Sequence, residues 1–227
     1  MTVRSPFLTA AGADWVDGTA VGDWIAKQLG PFGPGVVHAV PRGYADYAVA
    51  PIMADDDGEP FETLRSLQPL LDRLDAFTGN QFVRTAIWEG WGWFYETGTT
   101  PRPNGGVYWD QDGPRPSAEE LERARAQARR EVAEAMVEFP DVTPLELPAR
   151  RYYAWTGPLQ SATAFRTWLH SPPSLIWPTD RAWFIGIPIH TAEIAIGASA
   201  AMIDAIIDDP AIDARRVSTD YELEIDD

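Results

Sequence analysis

Apolar residues recur along this chain with two different periods, and the switches between them mark its elements. Trp183, Ile185, Ile187 and Ile189 alternate on one face, which predicts a core strand. Ile194 and Ile196 alternate on a second strand after a short connection, so the two are expected to pair antiparallel and bury together. Elsewhere the spacing turns helical. Phe61, Leu64, Leu67, Leu70, Leu71, Leu74 and Phe77 trace one stripe that stops at Gly79-Asn80, with Pro69 expected to kink the helix or divide it near Ser66. Leu121, Ala124, Ala128, Val132, Ala135, Met136 and Phe139 line a second helix, opened by the capping box Ser117-Ala118-Glu119-Glu120.

Shorter patterns fill the rest. Val21, Trp24, Ile25 and Leu29 predict a helix over about residues 19–29, stopped by Gly30-Pro31. Val36 to Val40 and Tyr44 to Ala50 read as extended pieces around the turn Pro41-Arg42-Gly43, and Phe82 to Glu89 and Arg151 to Thr156 read as strands. Pro140, Pro144 and Pro148 make a stiff connector, and residues 162–169 a helical turn. Ser199 caps a helix that Pro210 closes, and Ala211 to Val217 predicts a last strand before an acidic tail expected to fray. Residues 97–116, rich in Pro, Gly and Asn, read as a loop insertion. The strands lack regular helical crossovers. The fold expected is therefore α+β: residues 1–227 as a single domain with a mostly antiparallel sheet packed against helices.

Charge narrows the partners. The 34 Asp and Glu against 18 Lys and Arg give a net charge of −16, a field that repels phosphate backbones and anionic membrane surfaces. No nucleic-acid or membrane partner is expected, and a basic partner protein fits the sign. The dense basic stretch Arg123, Arg125, Arg129 and Arg130 is interleaved with acids and reads as a solvated helix face. Cysteine is absent, which removes disulfides, thiolate metal sites and cysteine catalysis. His38, His170 and His190 are scattered, and the run Asp55-Asp56-Asp57-Gly58 lacks the ligand spacing of an EF-hand, so neither a metal nor a cofactor is expected. The absence of a long apolar run, and of a charged-then-apolar order over Met1 to Ala11, points to the cytoplasm.

Two segments carry candidate chemistry. If Ile87 to Tyr95 is extended, Glu89, Trp91, Trp93 and Tyr95 share one face as an aromatic platform with a carboxylate, while Gly90 and Gly92 bare the other; the competing reading is core on both faces. Such platforms build sugar clefts, where Glu89, Glu96 and Asp180 are the acids available to form a glycosidase pair. The second segment is Asp180-Arg181 beside Trp177 and Trp183, a carboxylate clamp with a stackable guanidinium, or else a fastener at a strand start that reaches toward Arg150-Arg151. The ligand-binding candidates are thus Glu89, Trp91, Trp93, Tyr95, Trp177, Asp180 and Arg181, expected to line one concavity. No nucleophile elbow is present, and Gly197-Ala198-Ser199 reads as a helix start.

In order along the chain, Trp88-Glu89-Gly90-Trp91-Gly92, Arg150-Arg151-Tyr152-Tyr153, Gly157-Pro158-Leu159, Trp177-Pro178-Thr179-Asp180-Arg181-Ala182-Trp183, Gly197-Ala198-Ser199 and Asp209-Pro210 resemble an uncharacterised actinobacterial protein family. The resemblance runs from Trp88 onward and rests most on the Trp-Pro-x-Asp-Arg-Ala-Trp motif. It implies a related fold and a bacterial source, and no activity. Pro188 and His190 depart from it, standing where acids would be expected. The function expected is non-catalytic binding of a protein or small molecule, with an immunity-type inhibitor of a basic toxin and a hydrolase of a sugar or similar polar ligand as alternatives.

Overall fold

A computed structural model describes residues 5–52, 61–96, 116–165 and 171–225. Contacts within it group into two units, one made of Met1–Glu89 with Pro140–Asp227 and the other of Gly90–Phe139.

The larger unit is built on a nine-stranded sheet, preceded along the chain by the short helix α1 (Pro6–Ala10). Numbered along the chain, its strands run in the order β1 (Asp14–Val16), β7 (Arg150–Gly157), β3 (Val83–Trp88), β8 (Leu175–Pro178), β9 (Phe184–Gly186), β10 (Glu193–Ala198), β2 (Asp46–Pro51) and β11 (Arg215–Val217). The ninth, β6 (Leu145–Leu147), shares with β1 the border of β7 that faces away from β3. Every pairing in this sheet is antiparallel. The mostly antiparallel sheet packed against helices is the expected α+β class.

Both faces of the central strands are covered, which is why β8, β9 and β10 carry so few polar residues. Toward one face, Ile185, Ile194 and Ile196 pack with α4 (Phe61–Thr78) and α6 (Ala200–Ile207), joined by Trp183 and Ile187. These five residues are buried together as their alternation predicts, and the Trp183 indole donates to Thr78 Oγ1 at 3.1 Å. Toward the other face, Ala195, Phe184, Trp177 and Leu175 pack under α2 (Gly18–Ala26) and α3 (Val36–Ala39).

Several boundaries differ from the expected ones, each for a physical reason. Val36 to Ala39 is a single helical turn and not a strand: it lies over the sheet at Gly186, the Val40 amide donates to Val36 O, and the Val36 amide donates to Tyr221 O. The helix α4 runs through Pro69 as one element, because burial of Leu67, Leu70, Leu71 and Leu74 outweighs the lost backbone bond. The connector around Pro144 contains β6, paired to β7. A short 3-10 helix covers Leu159–Thr163, while residues 166–169 of the helical turn expected at 162–169 lie outside the described residues. The tail after Ser218 does not fray through Glu224. Leu223 N donates to Pro34 O, Ala192 N donates to Glu224 O, and the buried Glu193 carboxylate binds Arg215 at 2.7 Å, the Tyr221 hydroxyl at 3.0 Å and the Glu224 amide at 3.0 Å.

In the smaller unit, the capping box at Ser117 opens α5 (Ala118–Ala135) as expected. The helix stops before Met136 and Phe139, because the chain turns there into β5 (Val137–Glu138), parallel to β4 (Phe94–Tyr95). The insertion at 97–115, the acidic run at 55–58 and residues 166–170 lie outside the described residues.

Candidate functional site

On β7, Arg150 and Tyr152 are two residues apart and so share a face. They meet His38 of α3 along a narrow cleft that Ser174 and Pro188 help to line. The hairpin of β6 and β7 aims Arg150 into it through a two-residue turn, Pro148-Ala149, in which Ala149 takes φ 67°. The free space is about 20 Å³, room for a single water. A space of this size has room for one small group and none for a whole ligand.

The mouth is aromatic and cationic. The Arg150 guanidinium carbon lies 5.3 Å from the ring centre of Phe32 and 5.9 Å from that of Trp88, so both rings act on one cation. Phe32 is 56% exposed, a large apolar side chain left at the rim, and it meets the His38 ring edge to face at 4.8 Å. No carboxylate pairs with Arg150 among the described residues. Its neighbour Arg151, on the opposite face, is the one that takes an acid, Glu89 at 2.7 Å.

His38 carries a buried Nδ1 with no hydrogen-bond partner among the described residues. Burial first, and then the Arg150 charge, hold its pKa below the ordinary histidine value, so the ring is neutral at pH 7. Burial likewise raises the Tyr152 phenol, while the Arg150 charge and its hydrogen bond pull the other way. Ser174 is committed, its Oγ accepting the Trp88 amide at 3.3 Å. The arrangement offers a preset cation, a histidine that gains a donor on protonation, and apolar walls.

Within the larger unit, Glu89 is held apart from Trp177, Asp180 and Arg181. Glu89 follows the last residue of β3, whereas Asp180 binds Gln81 before its first, accepting from the Gln81 amide at 2.9 Å. The eight positions from Gln81 to Glu89, with the six residues of β3 between them, span about 26 Å. Glu89 and Asp180 are therefore too far apart to serve as a glycosidase pair. Asp180 is a turn fastener whose other oxygen accepts the Ala182 amide at 3.0 Å; its partners are Gln81 and Ala182, not Arg150-Arg151. Trp177 is core, stacked on Phe184 at 5.7 Å. Arg181 sits exposed with its guanidinium 4.6 Å from the Trp24 ring centre.

The platform over Glu89 to Tyr95 is corrected within the smaller unit. Turns occupy the stretch between Trp88 and Phe94, so the faces do not alternate. Trp93 is buried and stacks on the adjacent Phe94 at 4.2 Å, which stacks in turn on Phe139 at 5.0 Å. Trp91 and Tyr95 are half-buried. Two glycines in one short segment made the turn legible, and the aromatic count obscured it.

Among the described residues, no three His, Asp or Glu side chains group as a metal site, and no helix is long and apolar enough to cross a membrane. No protein-family model, curated protein or solved structure matches the chain. Phe32 and His38 gave no signal in the sequence, since a lone aromatic near Gly-Pro and a lone histidine among valines are ordinary. The Arg150-Arg151-Tyr152-Tyr153 run did carry one: a strand that sends one Arg to each face.

Proposed function

We propose that the protein is a non-catalytic binding protein of the bacterial cytoplasm, and that its His38–Arg150 cleft takes a carboxylate group of its ligand. One observation carries this reading. Acids outnumber bases 34 to 18, yet Arg150 lies near the rings of Phe32 and Trp88 with no described carboxylate against it. A guanidinium over aromatic rings keeps in-plane donors, beyond the one that meets Tyr152, for a planar anion.

Benzoate is a fitting probe, since its ring suits Phe32 and its carboxylate suits Arg150. Calorimetric titration is expected to show saturable binding that Arg150→Gln weakens at least tenfold. Binding should also tighten as pH falls from 8 to 6. The free-state His38 pKa is held down by burial and Arg150, an anion pulls it back up, and protons are therefore taken up on binding. His38→Gln should flatten that dependence. Unchanged affinity in Arg150→Gln, or no binding at all, refutes the assignment.

A basic partner protein, the immunity-type alternative, is supported by the net charge of −16. Its binding would weaken steeply with salt and be indifferent to Arg150→Gln, which separates it from the first reading.

A further inference from the structure

The Arg150 cleft has two walls that lie far apart along the chain, and one segment is tied to both. On the first wall, His38 follows Val36 by two residues within α3, and Phe32 precedes Pro34 by two. On the second, Pro188 is joined to the start of β10, since Thr191 Oγ1 lies 2.9 Å from Pro188 O and 3.1 Å from Glu193 O. The tail after Ser218 bridges them. Val36 N donates to Tyr221 O at 2.9 Å and Leu223 N to Pro34 O at 2.9 Å, with Gly35 and Glu222 paired antiparallel between these bonds. The next two tail residues reach the second wall: Ala192 N donates to Glu224 O at 2.9 Å, and Thr191 pairs with Ile225.

The first wall depends on this tie. Among the described residues, the long-range backbone bonds to residues 31–36 all come from the tail. Packing does little there: a Cβ added at Gly33 would meet nothing within 4 Å, and Phe32 is left exposed at the rim. The tail itself is well seated, with Leu223 buried in the same apolar cluster as Val36. Its bonds therefore set where Phe32 and His38 stand relative to Arg150.

One buried carboxylate fastens the tail in turn. Glu193, the first residue of β10, accepts from the Tyr221 hydroxyl and the Glu224 amide, and it pairs with Arg215 of β11. The three partners converge on one side chain, so its charge holds the tail at two points and the preceding strand at a third. With about 20 Å³ of free space in the cleft, a small displacement of the wall that the tail supports changes what fits.

We infer that the tail is a strap that holds the Phe32–His38 wall against Arg150, so that docking of the tail and binding of a carboxylate in the cleft strengthen one another. The inference rests on the cleft being the binding site proposed above. Linkage makes the effect reciprocal: whatever the docked tail adds to ligand affinity, the bound ligand adds to tail docking. Glu193, Tyr221 and Leu223 are positioning residues in this scheme. They act on the ligand only through the wall.

The test compares Glu193→Gln with Thr78→Val, a variant on the opposite face of the sheet, where Thr78 meets Trp183. Benzoate affinity should fall about fivefold or more in Glu193→Gln and stay within about twofold in Thr78→Val. The His38 ring, followed by NMR and assigned by its loss in His38→Gln, reads the wall without a ligand. Arg150 and Tyr152 are the titratable groups that line the cleft with it, and burial and the Arg150 charge hold its pKa low. In Glu193→Gln that pKa should rise toward the ordinary histidine value as both causes weaken, whereas the mere loss of a negative charge would lower it. Tyr221→Phe, which keeps the ring and drops the hydroxyl's bonds to Glu193 and Arg215, is the milder second variant and should shift His38 the same way. In the wild type, saturating benzoate should slow exchange of the Val36 and Leu223 amides. A His38 pKa unmoved or lowered in both tail variants, an equal response in Thr78→Val, or Val36 and Leu223 amides indifferent to bound benzoate overturns the strap. If benzoate does not bind the wild type, the carboxylate reading falls, and the His38 titration alone decides whether the tail holds the wall.

Discussion

Gly186 faces the carbonyl of Ala39 so closely that a Cβ added to it would stand 2.1 Å from that oxygen. The obstacle is backbone, which cannot rotate away. Gly186→Ala is expected to lift α3 off the sheet and destabilise the fold by about 1–3 kcal/mol, the usual cost of overpacking a filled core. Because α3 also carries His38, the variant should alter the Phe32–His38 contact. Chemical denaturation measures the first effect and the His38 ring signals the second; a variant as stable as wild type would show that α3 has room to shift.

Trp183 is fully buried, and its indole N–H is matched by Thr78. Trp183→Ala should cost about 3–5 kcal/mol through the lost area and the cavity left behind. Thr78→Val keeps the shape and removes the acceptor, so its cost should be about 1–3 kcal/mol, that of an unsatisfied buried donor. Urea unfolding of the pair distinguishes them, and equal losses would contradict this division of roles.

Ala149 holds φ 67° between β6 and β7 with an exposed methyl. Glycine adopts this conformation without the clash of Cβ, although it also leaves the unfolded chain freer. Ala149→Gly is expected to gain about 0.5–1 kcal/mol on balance. A lower melting temperature in the variant would count against the strain.

Glu193 is 3% exposed and binds Arg215, Tyr221 and the Glu224 amide. Glu193→Gln removes the charge from all three at once, and about 1.5–3 kcal/mol should go with the charge-assisted bonds. The loss should be local first. Amide exchange at Leu223 and Glu224 is expected to accelerate ahead of the sheet, and uniform acceleration across β2 and β10 would argue that the tail is no separate unit.

The core was legible because it is written in repetition. Ile185, Ile187, Ile194 and Ile196 alternate, and the stripe from Leu64 to Leu74 keeps helical spacing, so local pattern and tertiary burial agree. Val36 to Ala39 misled because two adjacent valines favour a strand, while a contact at Gly186, 150 positions away from Val36, makes the segment a helical turn. The stretch from Glu89 to Trp93 misled in the opposite way: its alternating tryptophans suit a strand, and Gly90 and Gly92 let the backbone turn instead. The site residues were legible only in part. Arg150 stood out in its double-arginine run, but Phe32 and His38 lie more than 110 positions earlier, and nothing local marks a histidine whose Nδ1 lacks a partner among the described residues.

The borders of the large sheet bear on how copies of this chain behave toward one another. One border is divided between β1 and β6, three residues each, and the other is β11, three residues whose Arg215 and Arg216 are held in ion pairs to Glu193, Asp46 and Asp204. A strand from another molecule needs a long, flat, uncharged edge to add itself by backbone pairing, and neither border offers one. At high concentration the folded protein should therefore resist sheet-to-sheet polymerisation even though its interior is rich in the isoleucine strands that promote it.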